Sequence, residues 1–299
     1  MFFPTRNHLP WQKHLSARKK LCSSAKLFTS LLTLALVCIC FTFSYKVLGA
    51  SISSQHSKQP LRIAVSSNFT PVLKKLLVEF HQQTKINTQI ISGATGAMFI
   101  QIQHGAPFDI FIAADSIRPV QLEQQGLILA NSRKTYAQGQ LALLSMSSKV
   151  ELNDLKHHLQ QSPQNSPQRF AIANPKTAPY GKAAKETLEY LGLWQQYKTK
   201  LIMGININQT FAQIRSKAVN SGLVANSQLV LNNLEGIIIP EKYHQPIEQQ
   251  LVIIKNSNNI NSAQALSDYL LSTSIQQKII SLGYAHFNKD EKREKHDKS

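Results

Sequence analysis

From residue 61 onward, short apolar runs alternate with stretches whose apolar residues recur every three or four positions. Leu61–Val65 (LRIAV), apolar except for Arg62, reads as a short buried strand. After a polar loop, Thr70 stands where an N-cap is expected and Pro71 at the first helical position. Val72, Leu73, Leu76, Leu77 and Phe80 then share one helical face. The rhythm repeats. Thr88–Ile91 reads as a strand, and Ser92–Gly96 as a small-residue loop opening a helix with Phe99 and Ile102 inward. Asp109–Ala114 reads as a strand, and Pro119–Gln125 as a helix that stops at Gly126. Further strands are expected at Gln140–Met146, Phe170–Ala173, Leu201–Met203, Gly222–Ala225 and Leu251–Ile254. Helices are expected after Gly181 (Leu188 and Leu191 inward), at Asn208–Val219, near Ser262–Leu271 and at Ile275–Leu282. Ser162–Pro167 is a polar loop.

Strands alternating with helices imply an α/β architecture with largely parallel sheets. In such folds ligands sit where strands end and loops open helices. Three loops stand there: Ser66–Thr70, Ser92–Gly96 and Asn174–Gly181.

The first 50 residues change the picture. They carry seven Lys/Arg and no acid, then an apolar run from Leu27 to Phe43, then Val47-Leu48-Gly49-Ala50. Basic region, apolar region and small-residue cleavage site are the parts of a secretory signal, with cleavage expected after Ala50. The run is near the lower limit for a membrane span, so an uncleaved anchor stays open. Residues 51–60 read as a linker. The formal charge of +17 over 299 residues falls to +10 without the leader, 26 Lys/Arg against 16 Asp/Glu. That excess is scattered, and the tail 289–299 mixes both signs, so the pattern is a solvated basic surface rather than a nucleic-acid site. Cys22, Cys38 and Cys40 all lie in the leader. The exported chain would hold no disulfide, thiolate nucleophile or Cys-ligated metal.

The three loops share one chemical character. The first offers the hydroxyls of Ser66 and Ser67 and the amide of Asn68, the second Thr95 between glycines, and the third Tyr180 between Pro179 and Gly181. Each precedes a helix whose first turn has unpaired N–H groups and a partial positive charge. Any one loop alone is adequately explained by capping and turn formation. Three converging ends would make an anion site without a formal cation. Asp109 and Asp115 read as turn and cap residues. The ten histidines, the His157-His158 pair included, show no metal-ligand spacing. Glu186 and Glu189 read as solvated charges and Trp194 as packing. No catalytic or phosphate-loop motif is present.

The stretches AVSSNFTPVLKKLLVEFHQQT, SGATGAMFIQIQHGAPFDIFIAAD, RKTYAQGQLALL, AIANPKTAPYGKAAKETLEYLGLW, MGININQTFAQIRSKAVNSGLVANSQ and SLGYAHF, in that order over residues 61–285, resemble the periplasmic molybdate-binding proteins of ABC transporters. The resemblance implies one oxyanion held between two lobes by hydroxyls and backbone amides, with molybdenum present only as bound molybdate. Carried over by position, Ser67, Asn68 and Thr95 would act from lobe one. Tyr180 and the backbone N–H of Ile207 would act from lobe two. Relatives more often show Ser where Thr95 stands. Some place a binding tyrosine where this chain has Ala225.

The implied fold is a two-lobed type-2 periplasmic-binding-protein architecture. Lobe one would comprise 61–138 plus 228–288 and lobe two 139–227, with hinges near Gly139 and Asn226. The implied function is capture of molybdate, and of tungstate, for an ABC importer. The protein would act as a monomer, without cofactor, nucleic acid or catalysis. An all-donor site suits a dianion that carries no proton at neutral pH. A phosphate site would include a carboxylate for the ligand's proton, and these loops contain none. A binder of another oxyanion such as sulfate, and a membrane-tethered sensor module, are the alternatives.

Overall fold

A computed structural model describes residues 59–146, 156 and 169–286. The expected signal segment, all but the end of the linker, the Ser162–Pro167 loop, the His157-His158 pair and the charged tail lie outside the described residues. In chain order, the first lobe opens with β1 (Leu61–Ser66), α1 (Thr70–Thr84), β2 (Thr88–Gly93), α2 (Thr95–Gln103), β3 (Ile110–Ile112), α3 (Ile117–Gln124) and β4 (Lys134–Gly139). The second follows with β5 (Leu141–Ser145), β6 (Phe170–Ala173), α4 (Pro179–Tyr190), α5 (Trp194–Tyr197), β7 (Leu201–Gly204), α6 (Ile207–Arg215), β8 (Ser221–Ala225), α7 (Asn226–Leu231) and β9 (Ile237–Ile238). The chain then returns through β10 (Ile247–Ile253), α8 (Ile260–Leu271) and α9 (Thr273–Ser281) to lobe one.

The two five-stranded sheets follow one plan, β2-β1-β3-β10-β4 and β7-β6-β8-β5-β9. In each, three parallel strands meet an antiparallel strand that has just crossed from the other lobe: β10 in the first and β5 in the second. Strands β1, β3, β6 and β8 are buried almost throughout, which explains their largely apolar sequences; Arg62 in β1 is the half-buried exception.

The two-lobed α/β architecture agrees with the sequence reading, while some details differ. The return to lobe one comes later than the expected hinge at Asn226. Strand β9 pairs with β5, so the second sheet continues past residue 227, and the crossing lies between β9 and β10. Strand β4, with the polar sequence KTYAQG, was hidden by its lack of an apolar run. Thr70 is the first residue of α1 rather than its cap. Phe69 holds the cap position, and the Thr70 hydroxyl bonds to Ser66 O and Ser92 Oγ instead.

Phe69 explains how the first loop is held. Its ring is fully buried and meets Tyr136 edge-on at 4.8 Å and Tyr284 at 5.6 Å. Such pairs contribute about 0.5–1.5 kcal/mol each beyond area burial. They anchor the residue next to Asn68 in the core of lobe one.

Candidate functional site

All five expected residues are buried, none more than 3% exposed. Parallel pairing of β1 and β2 places Ser66 beside Gly93, so the first two loops leave the sheet together. Thr95 Oγ1 donates to Ser66 Oγ at 3.0 Å and accepts from the Ala114 N–H at 3.2 Å. Its hydroxyl therefore braces lobe one. What Thr95 retains is its backbone N–H, in the first turn of α2.

Asn68 is similar. Its side-chain amide donates to Gln249 Oε1 at 2.9 Å and to Tyr284 Oη at 3.2 Å. The N–H groups on either side are also used, Ser67 to Gly93 O and Phe69 to Ser66 O. No partner for the Asn68 N–H, or for the Ser67 hydroxyl, is found among the described residues. The donor that Asn68 offers is thus its main chain rather than its side chain.

Tyr180 occupies the first turn of α4, in lobe two. A glycine beside a candidate ligand residue can let the chain pass a ligand closely. The close neighbour is instead the carbonyl of Ala173, only 2.2 Å from where a Cβ would stand. Glycine there lets the start of α4 sit on the end of β6. The Tyr180 ring packs in the apolar cluster of lobe two, and its hydroxyl accepts from Gln249 Nε2 at 3.2 Å. Burial pushes the hydroxyl's pKa well above the usual tyrosine value, helped by the neighbouring Tyr284, while donation from Gln249 and Asn68 opposes the shift. Tyr180 stays protonated over the physiological range and can donate.

Ile207 opens α6 in the same apolar cluster as Tyr180. Asn206 caps that helix by accepting from the Gln209 N–H at 3.0 Å. Gln228 braces it, donating to Ile207 O at 3.3 Å and Asn208 Oδ1 at 2.9 Å. The Ile207 N–H has no intrahelical partner. No hydrogen bond among the described residues joins Ile207 to the other four.

The lobes touch through these loops. The Gly96 N–H donates to Thr177 O at 2.9 Å, and Arg118 Nη2 reaches Lys176 O at 3.1 Å while its guanidinium is paired with Asp115. Asp115 also accepts from the Arg118 N–H in the first turn of α3, although the cap position itself is held by Ser116. Asp109 takes Arg62 N–H, Ser257 Oγ and Asn259 Nδ2. Glu186 is more than a solvated charge: it accepts from the Gln245 N–H at 3.0 Å, bracing the return crossing. Trp194 lies under Lys185. A cleft of about 870 Å³ opens between the lobes, lined among others by Asp115, Arg118, Lys176, Lys182 and Glu241, and by none of the five expected residues. No cluster suited to a metal ion occurs among the described residues.

The sequence reading missed Gln249, Tyr136 and Tyr284. Gln249 is fully buried on β10 and bonds to Asn68, Tyr136 and Tyr180. A polar residue just ahead of the apolar run Leu251–Ile254 was the available signal.

The model of the family described as bacterial extracellular solute-binding proteins matches residues 61–285. The chain belongs to this family. Solute-binding proteins hold a ligand without transforming it, so the family is not enzymatic. Among related members, the molybdate-binding protein ModA of Azotobacter vinelandii is 37% identical over 228 residues, 75% of this chain and 89% of that protein. ModA of Rhodobacter capsulatus is 32% identical over 231 residues, 74% of this chain and 86% of its own length. The solved Azotobacter vinelandii periplasmic molybdate-binding protein superposes with a TM-score of 0.71 at 30% identity, covering 76% of this chain and all of that structure.

Proposed function

We propose that this solute-binding protein captures molybdate, and also tungstate, in the periplasm and passes it to the permease of an ABC importer. The observation that carries the reading is a set of buried donors without protein partners at the starts of helices. They are the Ser67 hydroxyl and the N–H groups of Asn68, Thr95 and Ile207, joined by the protonated Tyr180 hydroxyl. Neither a carboxylate nor a formal cation bonds to any of them. Such a site fits a fully deprotonated dianion, and helix N-termini supply the compensating partial charge. Hydrogen bonds to a charged group contribute roughly 1.5–3 kcal/mol each. Five of them leave micromolar binding or tighter after the cost of association. Lobe contact at Gly96–Thr177 agrees with a closed, ligand-holding form.

Isothermal titration with molybdate, tungstate, sulfate and phosphate tests the reading. Molybdate and tungstate should bind, with sulfate and phosphate at least about a hundredfold weaker. Equal binding of all four would mean a general basic surface. Export follows from the N-terminal pattern. Mass spectrometry of the periplasmic fraction should find a mature chain beginning at Ser51. The full-length chain in washed membranes would favour the anchored form.

A further inference from the structure

Gln249 places one side-chain amide between the two lobes. Its Oε1 accepts from Asn68 Nδ2 at 2.9 Å and from Tyr136 Oη at 2.8 Å, both in lobe one. Its Nε2 donates to Tyr180 Oη of lobe two at 3.2 Å. The amide is fully buried, so water cannot replace a missing partner. A tyrosine hydroxyl has a single proton. When it accepts from an amide, that proton is left for another acceptor. With the amide turned over, Oε1 would face Tyr180 and take the proton. Asn68 Nδ2, which can only donate, holds the amide in the first setting; Tyr136 Oη adds to this when its one proton points to Oε1 rather than to Ala113 O at 3.1 Å.

The backbone leaves room for this contact at one point. Gly139 ends β4 at the first crossing between lobes, and a Cβ there would lie 2.3 Å from Tyr180 Oη and 2.7 Å from Gln249 Nε2. The tyrosine, the glutamine and the hinge glycine thus meet at one place.

We infer that Gln249 is a positioning residue for the bound oxyanion: it makes the Tyr180 hydroxyl an obligate donor and ties lobe closure to the donor set of lobe one. The inference rests on the proposed oxyanion function and adds how the tyrosine's proton is directed. It predicts that Gln249 acts on affinity through Tyr180.

A double-mutant cycle with Gln249→Leu and Tyr180→Phe, read by calorimetric titration with molybdate, tests it. The wild type is titrated first. If it gives no binding, the functional reading fails, and this inference with it. With binding established, Gln249→Leu alone should weaken affinity about tenfold or more, the worth of one directed hydrogen bond to charge. In the Tyr180→Phe background the same change should cost less than about threefold. An equal loss in both backgrounds would show that Gln249 serves Asn68 or the core, and would overturn the inference. So would an unchanged affinity. If Gln249→Leu fails to unfold cooperatively, the cycle is repeated with Gln249→Glu. That variant keeps an acceptor for Asn68 and Tyr136 while removing the donor that faces Tyr180. The new carboxylate repels the dianion in both backgrounds, so the difference decides: a larger loss with Tyr180 present supports the inference, and an equal loss in both overturns it.

Discussion

The backbone N–H of Gly96 donates to the carbonyl of Thr177 at 2.9 Å, joining the first turn of α2 in lobe one to the loop that leads into α4 in lobe two. A Cβ at residue 96 would stand 3.0 Å from Arg118 Nη2 and 3.1 Å from both Thr177 Cα and O. Gly96→Val should therefore hinder closure. It should leave the ligand-free melting temperature unchanged or slightly raised, because valine is a better helix former than glycine. The rise in melting temperature caused by molybdate should be largely lost. A variant that responds to molybdate like the wild type would show that closure does not bring these two residues together.

Tyr180→Phe removes one donor to the proposed anion and one acceptor for Gln249 Nε2. Molybdate affinity should fall about ten- to a hundredfold, the value of a hydrogen bond to charge. Calorimetry reads the loss directly. Unchanged affinity would make Tyr180 a core residue of lobe two and nothing more.

Gly139→Ala should weaken binding by at least about tenfold, because the new methyl group meets Tyr180 Oη at 2.3 Å and Cζ at 2.9 Å. Tyr180→Phe removes the nearer of these atoms, so the alanine should cost less in that background. If the alanine is tolerated in the wild-type background, the tyrosine does not need its place beside the hinge.

Alkaline pH offers a check that needs no ligand. Burial raises the hydroxyls of Tyr136, Tyr180 and Tyr284 well above the ordinary value of 10.0. Below that value all three are protonated in folded and unfolded chains alike, and stability is at its full level. As pH rises past it, the unfolded chain releases protons that the folded chain keeps. Stability then falls by about 1.4 kcal/mol per pH unit for each tyrosine, about 4 kcal/mol for the three. Urea unfolding between about pH 9 and about pH 11 should show the decline, and Tyr284→Phe should make it shallower by one tyrosine's share, about 1.4 kcal/mol per pH unit. A decline as steep in Tyr284→Phe as in the wild type would contradict this.

The α/β alternation and the three loops that offer hydroxyls and amides at helix starts are legible in the sequence alone. These features are local: apolar periodicity, proline at the start of α1 and α4, and small residues ahead of α2 all act within a few positions of the chain. Reading a loop as a donor source did not reveal which of its donors is free. The Thr95 hydroxyl and the Asn68 amide are spent on Ser66, Gln249 and Tyr284, and only packing assigns those partners. The late return to lobe one was equally hidden, because β9 is two residues long and is defined by pairing with β5 rather than by its own pattern. Gln249 lies 181 residues from Asn68 and 69 from Tyr180. No local preference links such positions. The insertion of β10 into the first sheet, after the chain has built the second, brings them together and sets where the tyrosine's proton points.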